Sequence, residues 1–160
     1  MNLHITIRGA LPDDLPELQR VYRQASLSNA DDRAALLSRP EFLVFDGSAV
    51  VDGRTRVAVF DGRPVGFVSV TDAGSGSLEL EDLFVDPHWQ RRGIARQLIA
   101  DLVRTAGTSG IDTLLVTGNP HARAFYLSVG FVEFGEVATA LGVGSRYRLN
   151  LASAPAPPPP

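Results

Sequence analysis

Residues 78–106 restrict the fold of this chain more tightly than any other segment. Leu78 and Leu80 alternate with glutamates, which is the pattern of a half-buried strand, but the apolar positions resume at Leu83 and Val85, one residue out of phase. One extra residue in a strand is a β-bulge, and we predict one near Glu81-Asp82-Leu83. The segment therefore begins with a bulged strand.

The strand should end at Asp86-Pro87, because a proline cannot donate to the hydrogen-bond ladder of a sheet. Apolar residues then recur at helical spacing from Ile94 to Ala106. The turn Gln90-Arg91-Arg92-Gly93-Ile94-Ala95-Arg96 joins the two elements. Free amides at a helix N-terminus attract anions, and the three arginines reinforce that preference, so a phosphate-bearing ligand is the expected occupant. The alternative is a tight turn with solvated arginines and no ligand.

This turn, with Gln90, Gly93 and Ala95 in the pattern Gln-x-x-Gly-x-Ala, resembles the acyl-CoA pyrophosphate loop of the GCN5-related N-acetyltransferases, the GNAT family. A second element, Asn119-x-x-Ala-x-x-Phe-Tyr-x-x-x-Gly-Phe131, resembles the later strand-to-helix segment of that family. The two elements stand in the family's order, which makes the match more specific than either motif alone. The resemblance extends over most of the chain.

The resemblance implies an α/β fold of the three-layer α/β/α type, a GNAT-type acyl-CoA acyltransferase fold. Its sheet is expected to be mixed and mostly antiparallel, with about seven strands, of which the fourth and fifth are parallel and splayed. The succession of strand, helix and strand over residues 78–117 requires the same parallel pairing. We predict a single domain over residues 1–151 and a disordered proline-rich tail over 152–160.

Local patterns predict the remaining elements. Strands are expected at His4–Arg8, Arg54–Phe60, Val65–Thr71, Ile111–Thr117, Val132–Thr139 and Ser145–Leu151. Turns are expected at Asp61-Gly62, Gly74–Ser77 and Gly142–Gly144. A first helix follows Asp13 or Asp14, either of which can cap it, and a second begins near Asp31 and ends before Pro40. The segment from Glu41 to Gly53 shows no pattern, and is either a flexible loop over a site or a loop packed for stability.

Composition excludes several classes of function. The apolar content of 44% and the charged content of 21% are typical of soluble globular proteins, and the net charge of -3 favours neither nucleic acid nor an anionic membrane as a partner. There is no cysteine and the three histidines are scattered, so no disulfide, thiol nucleophile or metal site is expected. No apolar run approaches the ~18 residues of a membrane span, and no secretory signal is visible, so a cytoplasmic protein is expected.

The resemblance implies transfer of an acetyl group from acetyl-CoA to a primary amine. Without a cysteine, direct attack of the amine on the thioester is simpler than an acyl-enzyme route. A small-molecule acceptor is favoured over a peptide or protein amine, and a homodimer is compatible with the family. One alternative is a non-catalytic acyl-CoA-binding sensor or regulatory module, which would need the loop but no catalytic groups. Another is a phosphate-binding domain for a different nucleotide.

The same resemblance assigns the acyl-CoA contacts. The pyrophosphate is expected on the amides and side chains of Gln90, Arg91, Arg92, Gly93, Ile94, Ala95 and Arg96, and the pantetheine arm on the backbone of Leu83, Phe84 and Val85. Asn119 is a further candidate for cofactor binding, although a residue before Pro120 is also well placed to cap a helix.

Three residues are candidates for catalysis. An ammonium group with a pKa near ~10 must lose a proton before it attacks, and Glu81, or second Glu79, could accept it directly or through water. The alternative for both is an ordinary solvated glutamate on the open face of a strand. Tyr126 matches the position from which the family commonly supplies a proton or hydrogen bond to the CoA sulfur. Otherwise it is a core tyrosine with a satisfied hydroxyl.

Overall fold

The computed structural model describes residues 4–153 of the chain. Its strands are β1 (Thr6–Gly9), β2 (Thr55–Phe60), β3 (Arg63–Gly74), β4 (Ser77–Val85), β5 (Thr113–Gly118), β6 (Val132–Thr139) and β7 (Gly142–Asn150). Its α-helices are α1 (Leu15–Leu27), α2 (Ala30–Ser38), α3 (Ser48–Val51), α4 (Ile94–Gly107) and α5 (Arg123–Ser128). Short 3₁₀ turns precede α1 and α5 and separate β4 from α4.

The strands form one sheet in the order β1-β2-β3-β4-β5-β7-β6. β4 and β5 are parallel, with pairing recorded from Ser77 opposite Thr113 to Leu80 opposite Val116. The pairs β1–β2, β2–β3, β5–β7 and β6–β7 are antiparallel. The predicted α/β fold, with its mixed seven-stranded sheet and its parallel fourth and fifth strands, is therefore confirmed.

The described residues group into two compact units. One contains the residues up to Ser69 together with Asp82–Leu98, and the other contains Val70–Glu81 together with the residues from Ile99 onward. The single domain over residues 1–151 stays a prediction. Of the predicted tail, Ala152 and Ser153 belong to a short 3₁₀ turn, and residues 154–160 lie outside the described part of the chain.

The core of the first unit is built on α1, whose apolar side packs on the sheet. Leu18 and Val21 are fully buried and join Val57 of β2 and Phe67 of β3 in one cluster. Each such side chain contributes about 1.5–3 kcal/mol through burial. Asp14 occupies the N-cap position of α1, as predicted. Its carboxylate makes no capping bond to that helix and accepts hydrogen bonds from Arg8 and from the amide of Leu11 at the start of the preceding 3₁₀ turn.

The segment between Glu41 and Gly53 is packed, which favours the second of the two predicted alternatives. It contains the short helix α3, and both Leu43 and Val50 are buried. The side chain of Gln19 also donates to the carbonyl oxygen of Leu43 and accepts from the amide of Phe45, each at 2.7 Å. A four-residue helix is too short to show a period in the sequence, and tertiary contacts stabilise it.

The second unit contains β5, β6, β7 and α5. β6 has the predicted bounds, whereas the predicted turn at Gly142–Gly144 lies inside β7, and the connection is at residues 140–141.

Asn119 is a helix cap, since its side-chain oxygen accepts from the amide of Ala122 at 3.0 Å. Gly118 lies at the end of β5 beneath two tyrosine rings, and a Cβ atom there would be 3.0 Å from Cε2 of both Tyr126 and Tyr147. Only glycine fits this position without a shift of the rings.

Candidate active site

The turn after β4 is anchored by Asp86. The Arg20 guanidinium on α1 donates to its Oδ2 at 2.8 Å, and the amide of His88 donates to its Oδ1 at 3.0 Å. Its own amide donates to the carbonyl oxygen of Val65, and its carbonyl oxygen accepts from the amide of Trp89 at 2.7 Å. Burial opposes ionisation of Asp86, but the hydrogen bonds from Arg20 and His88 outweigh it and hold the pKa of the carboxyl below its usual range. The start of the loop is therefore fixed by a charged network.

The predicted pyrophosphate loop has an unusual backbone. Arg91 and Gly93 have φ angles of 63° and 79°, in the left-handed region that favours glycine. At Arg91 this conformation is costly, and such strain is concentrated at ligand-binding sites. A Cβ at Gly93 would have no atom within 4 Å, so glycine is favoured here because of its positive φ and not because space is limited. The side chain of Gln90 donates to the carbonyl oxygen of Val85 at 3.3 Å and ties the loop to β4.

The N-terminus of α4 follows directly. The first intrahelical donor recorded at this end is the amide of Gln97, which bonds the carbonyl oxygen of Gly93 at 3.0 Å. The amides of Ile94 and Ala95 precede that donor and lie at the positive end of a 14-residue helix. Arg91, Arg92 and Arg96 are exposed beside them. Donors, dipole and cationic side chains thus coincide where the sequence predicts an anion.

Arg92 is held by an aromatic residue that the sequence analysis did not single out. Its guanidinium carbon lies 5.0 Å from the ring centroid of Trp89, which packs in turn on Phe60 at 4.7 Å. A cation over an indole face is attracted electrostatically and keeps its charge exposed. Trp89 therefore orients one of the candidate phosphate-binding side chains. The signal was present, because an aromatic residue stands three positions before Arg92.

The side chains at the end of β4 are engaged in packing. Leu83 is partly buried and Val85 buried. Phe84 packs edge-on against Tyr22 of α1 at 4.8 Å between ring centroids and contacts Phe67 at 5.8 Å. Leu80 and Val85 are both buried although they are five residues apart, so the alternation changes phase between them as predicted. The bulge itself stays a prediction.

The two candidate bases differ in their surroundings. Both carboxylate oxygens of Glu79 accept hydrogen bonds from the Arg146 guanidinium, which also donates to the hydroxyl of Thr117 at 2.8 Å. A substrate amine would have to displace that bidentate pair to reach Glu79. Glu81 is exposed on the same strand. Of the two predicted carboxylates, Glu81 is therefore the more accessible.

Tyr126 is buried among aromatic rings, with 6% of its surface exposed. Its ring centroid lies 5.4 Å from that of Phe125 and 5.3 Å from those of Phe131 and Tyr147. Burial raises the pKa of the Tyr126 hydroxyl well above its ordinary value, and the neighbouring Tyr147 adds to the rise. The hydroxyl is consequently protonated throughout the physiological range and can act as a hydrogen-bond donor.

Tyr147 and Arg146 are two further residues that the sequence analysis missed. The alternation of β7 could have shown that Tyr147 and Leu149 face inward, since both are buried and Arg148 between them is exposed. No local pattern pairs Arg146 with Glu79, because 67 positions separate them.

Across residues 4–153, no cluster of three or more His, Asp or Glu side chains could hold a metal ion. No helix in that range is long and apolar enough to cross a membrane.

The chain is similar to known acetyltransferases. Residues 48–144 match the family model described as acetyltransferase (GNAT) domain. The chain is 29% identical over 156 residues to the mycothiol acetyltransferase of Clavibacter michiganensis, covering 94% of this chain and 48% of that protein. It is 35% identical over 74 residues to an uncharacterized protein of Mycobacterium leprae, covering 44% of this chain and 21% of that protein. The chain thus spans less than half the length of these two relatives.

A solved structure shows the same fold. The PaiA N-acetyltransferase of Thermoplasma acidophilum, determined in complex with coenzyme A, superposes with a TM-score of 0.74 at 16% identity, covering 92% of this chain and 99% of that one. At this identity the likeness concerns the fold alone, and the family model supplies the relationship in sequence. The chain belongs to the GNAT family of acetyltransferases.

Proposed function

We propose that this protein transfers the acetyl group of acetyl-CoA directly to a primary amine, and that the acceptor is a small molecule. The observation that carries the proposal is the loop before α4, where left-handed Arg91 and Gly93 lead into the positive end of a long helix. A GNAT family match that includes this loop supports the same ligand. Acetyl-CoA supplies an acetyl thioester: transfer forms a bond between its acyl carbon and the amine nitrogen, breaks the carbon–sulfur bond and releases CoA as a thiolate, which then takes a proton from solvent.

The residues of the loop fit a pyrophosphate. The amides of Ile94 and Ala95 can donate to its oxygens, and the exposed guanidinium groups of Arg91, Arg92 and Arg96 can neutralise its charge. The stacking of Arg92 on Trp89 restricts that side chain before the ligand binds, which reduces the entropy lost on binding. We assign the pantetheine arm to the backbone of Leu83, Phe84 and Val85.

Glu81 is the proposed general base. It is exposed on β4, while the neighbouring candidate Glu79 is engaged by Arg146. An ammonium nitrogen has no lone pair, so the neutral amine is the form that attacks. The nitrogen becomes acidic as its bond to the acyl carbon forms, and Glu81 accepts a proton from it at that stage, directly or through an ordered water.

Tyr126 is the proposed donor to the departing sulfur. A thiolate of the cysteine type has a pKa near ~8.5, well below that of the buried Tyr126 hydroxyl. Full transfer of the phenolic proton to the thiolate is therefore unfavourable, and we assign Tyr126 the role of hydrogen-bond donor to the sulfur. That bond strengthens as negative charge develops on sulfur, which lowers the barrier.

The variants Glu81→Gln and Tyr126→Phe test these roles. Loss of a hydrogen bond to a charged group predicts a fall in kcat of about tenfold to a hundredfold for Tyr126→Phe, with acetyl-CoA binding retained. Glu81→Gln should reduce kcat by about a hundredfold or more. Glu136→Gln, at an exposed position on β6, and Tyr22→Phe, in the first unit, are the matched controls. If both test variants keep the wild-type kcat, the assigned catalytic roles are wrong.

A further inference from the structure

Tyr147 of β7 has a hydroxyl group that the fold alone does not explain. The residue is fully buried, and within residues 4–153 its hydroxyl oxygen has no hydrogen-bond partner. A phenylalanine would fill the same space without burying a polar atom, and an unsatisfied buried hydroxyl destabilises a folded protein. Packing of the ring therefore does not account for the hydroxyl at this position.

The neighbour of interest is Tyr126, whose ring lies 5.3 Å from that of Tyr147, at an interplanar angle of 32°. Both rings turn the same edge toward Gly118. A Cβ atom added at Gly118 would lie 3.0 Å from Cε2 of each ring, and each Cε2 is bonded to the carbon that bears the hydroxyl. Strand pairing fixes the arrangement, because Tyr147 is in register with Val116, two residues before Gly118 on β5.

Tyr147 is also chemically distinct from the other rings around Tyr126. Phe125 and Phe131 complete that group at 5.4 and 5.3 Å, and neither can form a hydrogen bond through its side chain. When the Tyr126 hydroxyl donates to an acceptor, its oxygen still has lone pairs to accept a second bond. Among the rings described around Tyr126, Tyr147 is the one that carries a donor for those lone pairs.

We propose that Tyr147 is a positioning residue for acetyl transfer, whose hydroxyl donates a hydrogen bond to the oxygen of Tyr126 while Tyr126 donates to the CoA sulfur. This inference rests on the proposed function. Two hydrogen bonds in series polarise one another, so the first strengthens the second, and a phenol with its oxygen held from one side has a fixed donor direction.

A double-mutant cycle tests this role in the full-length protein. Tyr147→Phe should lower kcat about threefold to tenfold, as expected for loss of one neutral hydrogen bond, and leave the KM for acetyl-CoA unchanged. In the Tyr126→Phe background, the same substitution should have no further effect, because the acceptor oxygen is absent. An equal loss in both backgrounds, or an unchanged kcat in the wild-type background, overturns the proposal.

Thermal unfolding of the ligand-free protein provides a second measurement that does not depend on activity. Tyr147→Phe should leave Tm unchanged or raise it by about 2–4 °C, because an unsatisfied hydroxyl is removed. The control Tyr22→Phe should lower Tm, since its hydroxyl donates to the carbonyl oxygen of Phe42 at 2.8 Å. If Tyr147→Phe lowers Tm as much as the control, its hydroxyl has a structural partner and the inference fails. Wild-type protein that binds acetyl-CoA without turnover contradicts the proposed function, and the inference fails with it, whereas turnover with an equal loss of kcat in both backgrounds contradicts the inference alone.

Discussion

Replacement of Asp86 by asparagine should destabilise the protein and weaken its binding of acetyl-CoA. Asp86 joins the end of β4 to α1 through Arg20 and also holds the amide of His88 in the turn before the predicted pyrophosphate loop. Asparagine has the same size but no charge, and it offers one acceptor oxygen where the carboxylate offers two. The substitution therefore removes the ion pair and leaves an acceptor for only one of the two donors, Arg20 or the amide of His88, without opening a cavity.

The magnitude follows from the exposure of the two partners. The Asp86 side chain is 6% exposed and that of Arg20 is 27% exposed, so the pair is neither a surface pair nor a fully buried one. Exposed pairs contribute about 0–1 kcal/mol, and removal of one partner of a buried pair costs about 3–5 kcal/mol. Arg20 also keeps its contacts with Glu17 and Gln24. We expect a loss of about 2 kcal/mol, which lowers Tm by about 4–8 °C.

The stability difference between wild type and Asp86→Asn should depend on pH. The pKa of Asp86 is lower in the folded protein than its usual value, so its contribution to stability is complete above the unfolded pKa of about 3.9. The contribution is lost as the pH falls through the folded pKa. Urea unfolding at several pH values should show a stability difference between wild type and Asp86→Asn that is constant near neutrality and shrinks in acid.

The matched control is Asp52→Asn, at a carboxylate that is 59% exposed and pairs with Arg54 at 3.2 Å. It should cost less than about 1 kcal/mol and leave acetyl-CoA binding unchanged. Equal destabilisation by the two variants would contradict the reasoning from burial. Unchanged acetyl-CoA affinity in Asp86→Asn would show that this network does not position the loop.

Two glycine substitutions give further predictions. Gly93→Ala should lower the free energy of unfolding by about 1–2 kcal/mol and weaken acetyl-CoA binding, because φ is 79° at that position. The control Gly107→Ala should be nearly neutral, because no atom lies within 4 Å of the added Cβ. Chemical unfolding and calorimetric binding experiments measure the two effects. Equal effects of the two would refute the argument from φ. Gly118→Ala should cost about 1–3 kcal/mol and reduce kcat, because the new Cβ would be 3.0 Å from the Tyr126 and Tyr147 rings, whereas Gly135→Ala meets nothing within 4 Å. A Gly118→Ala variant with wild-type stability and kcat would show that the rings can shift without consequence.

Long periodic segments were predictable from the sequence. The apolar spacing of α4 and the alternation of β6 indicated both elements, and β6 has the predicted bounds Val132–Thr139. The start and end of the first strand shifted from His4–Arg8 to Thr6–Gly9, because pairing with β2 determines them. The turn before β7 was misplaced because a glycine can adopt a positive φ within a strand as well as in a turn, and Gly142 begins β7 with a φ of 122°.

The residues of the candidate site were predictable where a motif carries them, and not where tertiary contacts do. The loop from Gln90 to Arg96 could be located from its glycine, its arginines and the following helix. The engagement of Glu79 by Arg146 and the contact between Tyr126 and Tyr147 arise only when distant strands pair. Local patterns describe one strand at a time, so the choice between two carboxylates needed the structure.

The most direct test of acetyl transfer is the amine-dependent release of CoA from acetyl-CoA by the wild-type protein. The panel should contain small-molecule amines and peptides with free N-termini, and mass spectrometry should identify the acetylated product. We predict release that depends on one class of small amine and yields its N-acetyl derivative. Binding of acetyl-CoA with no amine-dependent release across the panel would instead identify a non-catalytic acyl-CoA sensor, and failure to bind acetyl-CoA would contradict both functions.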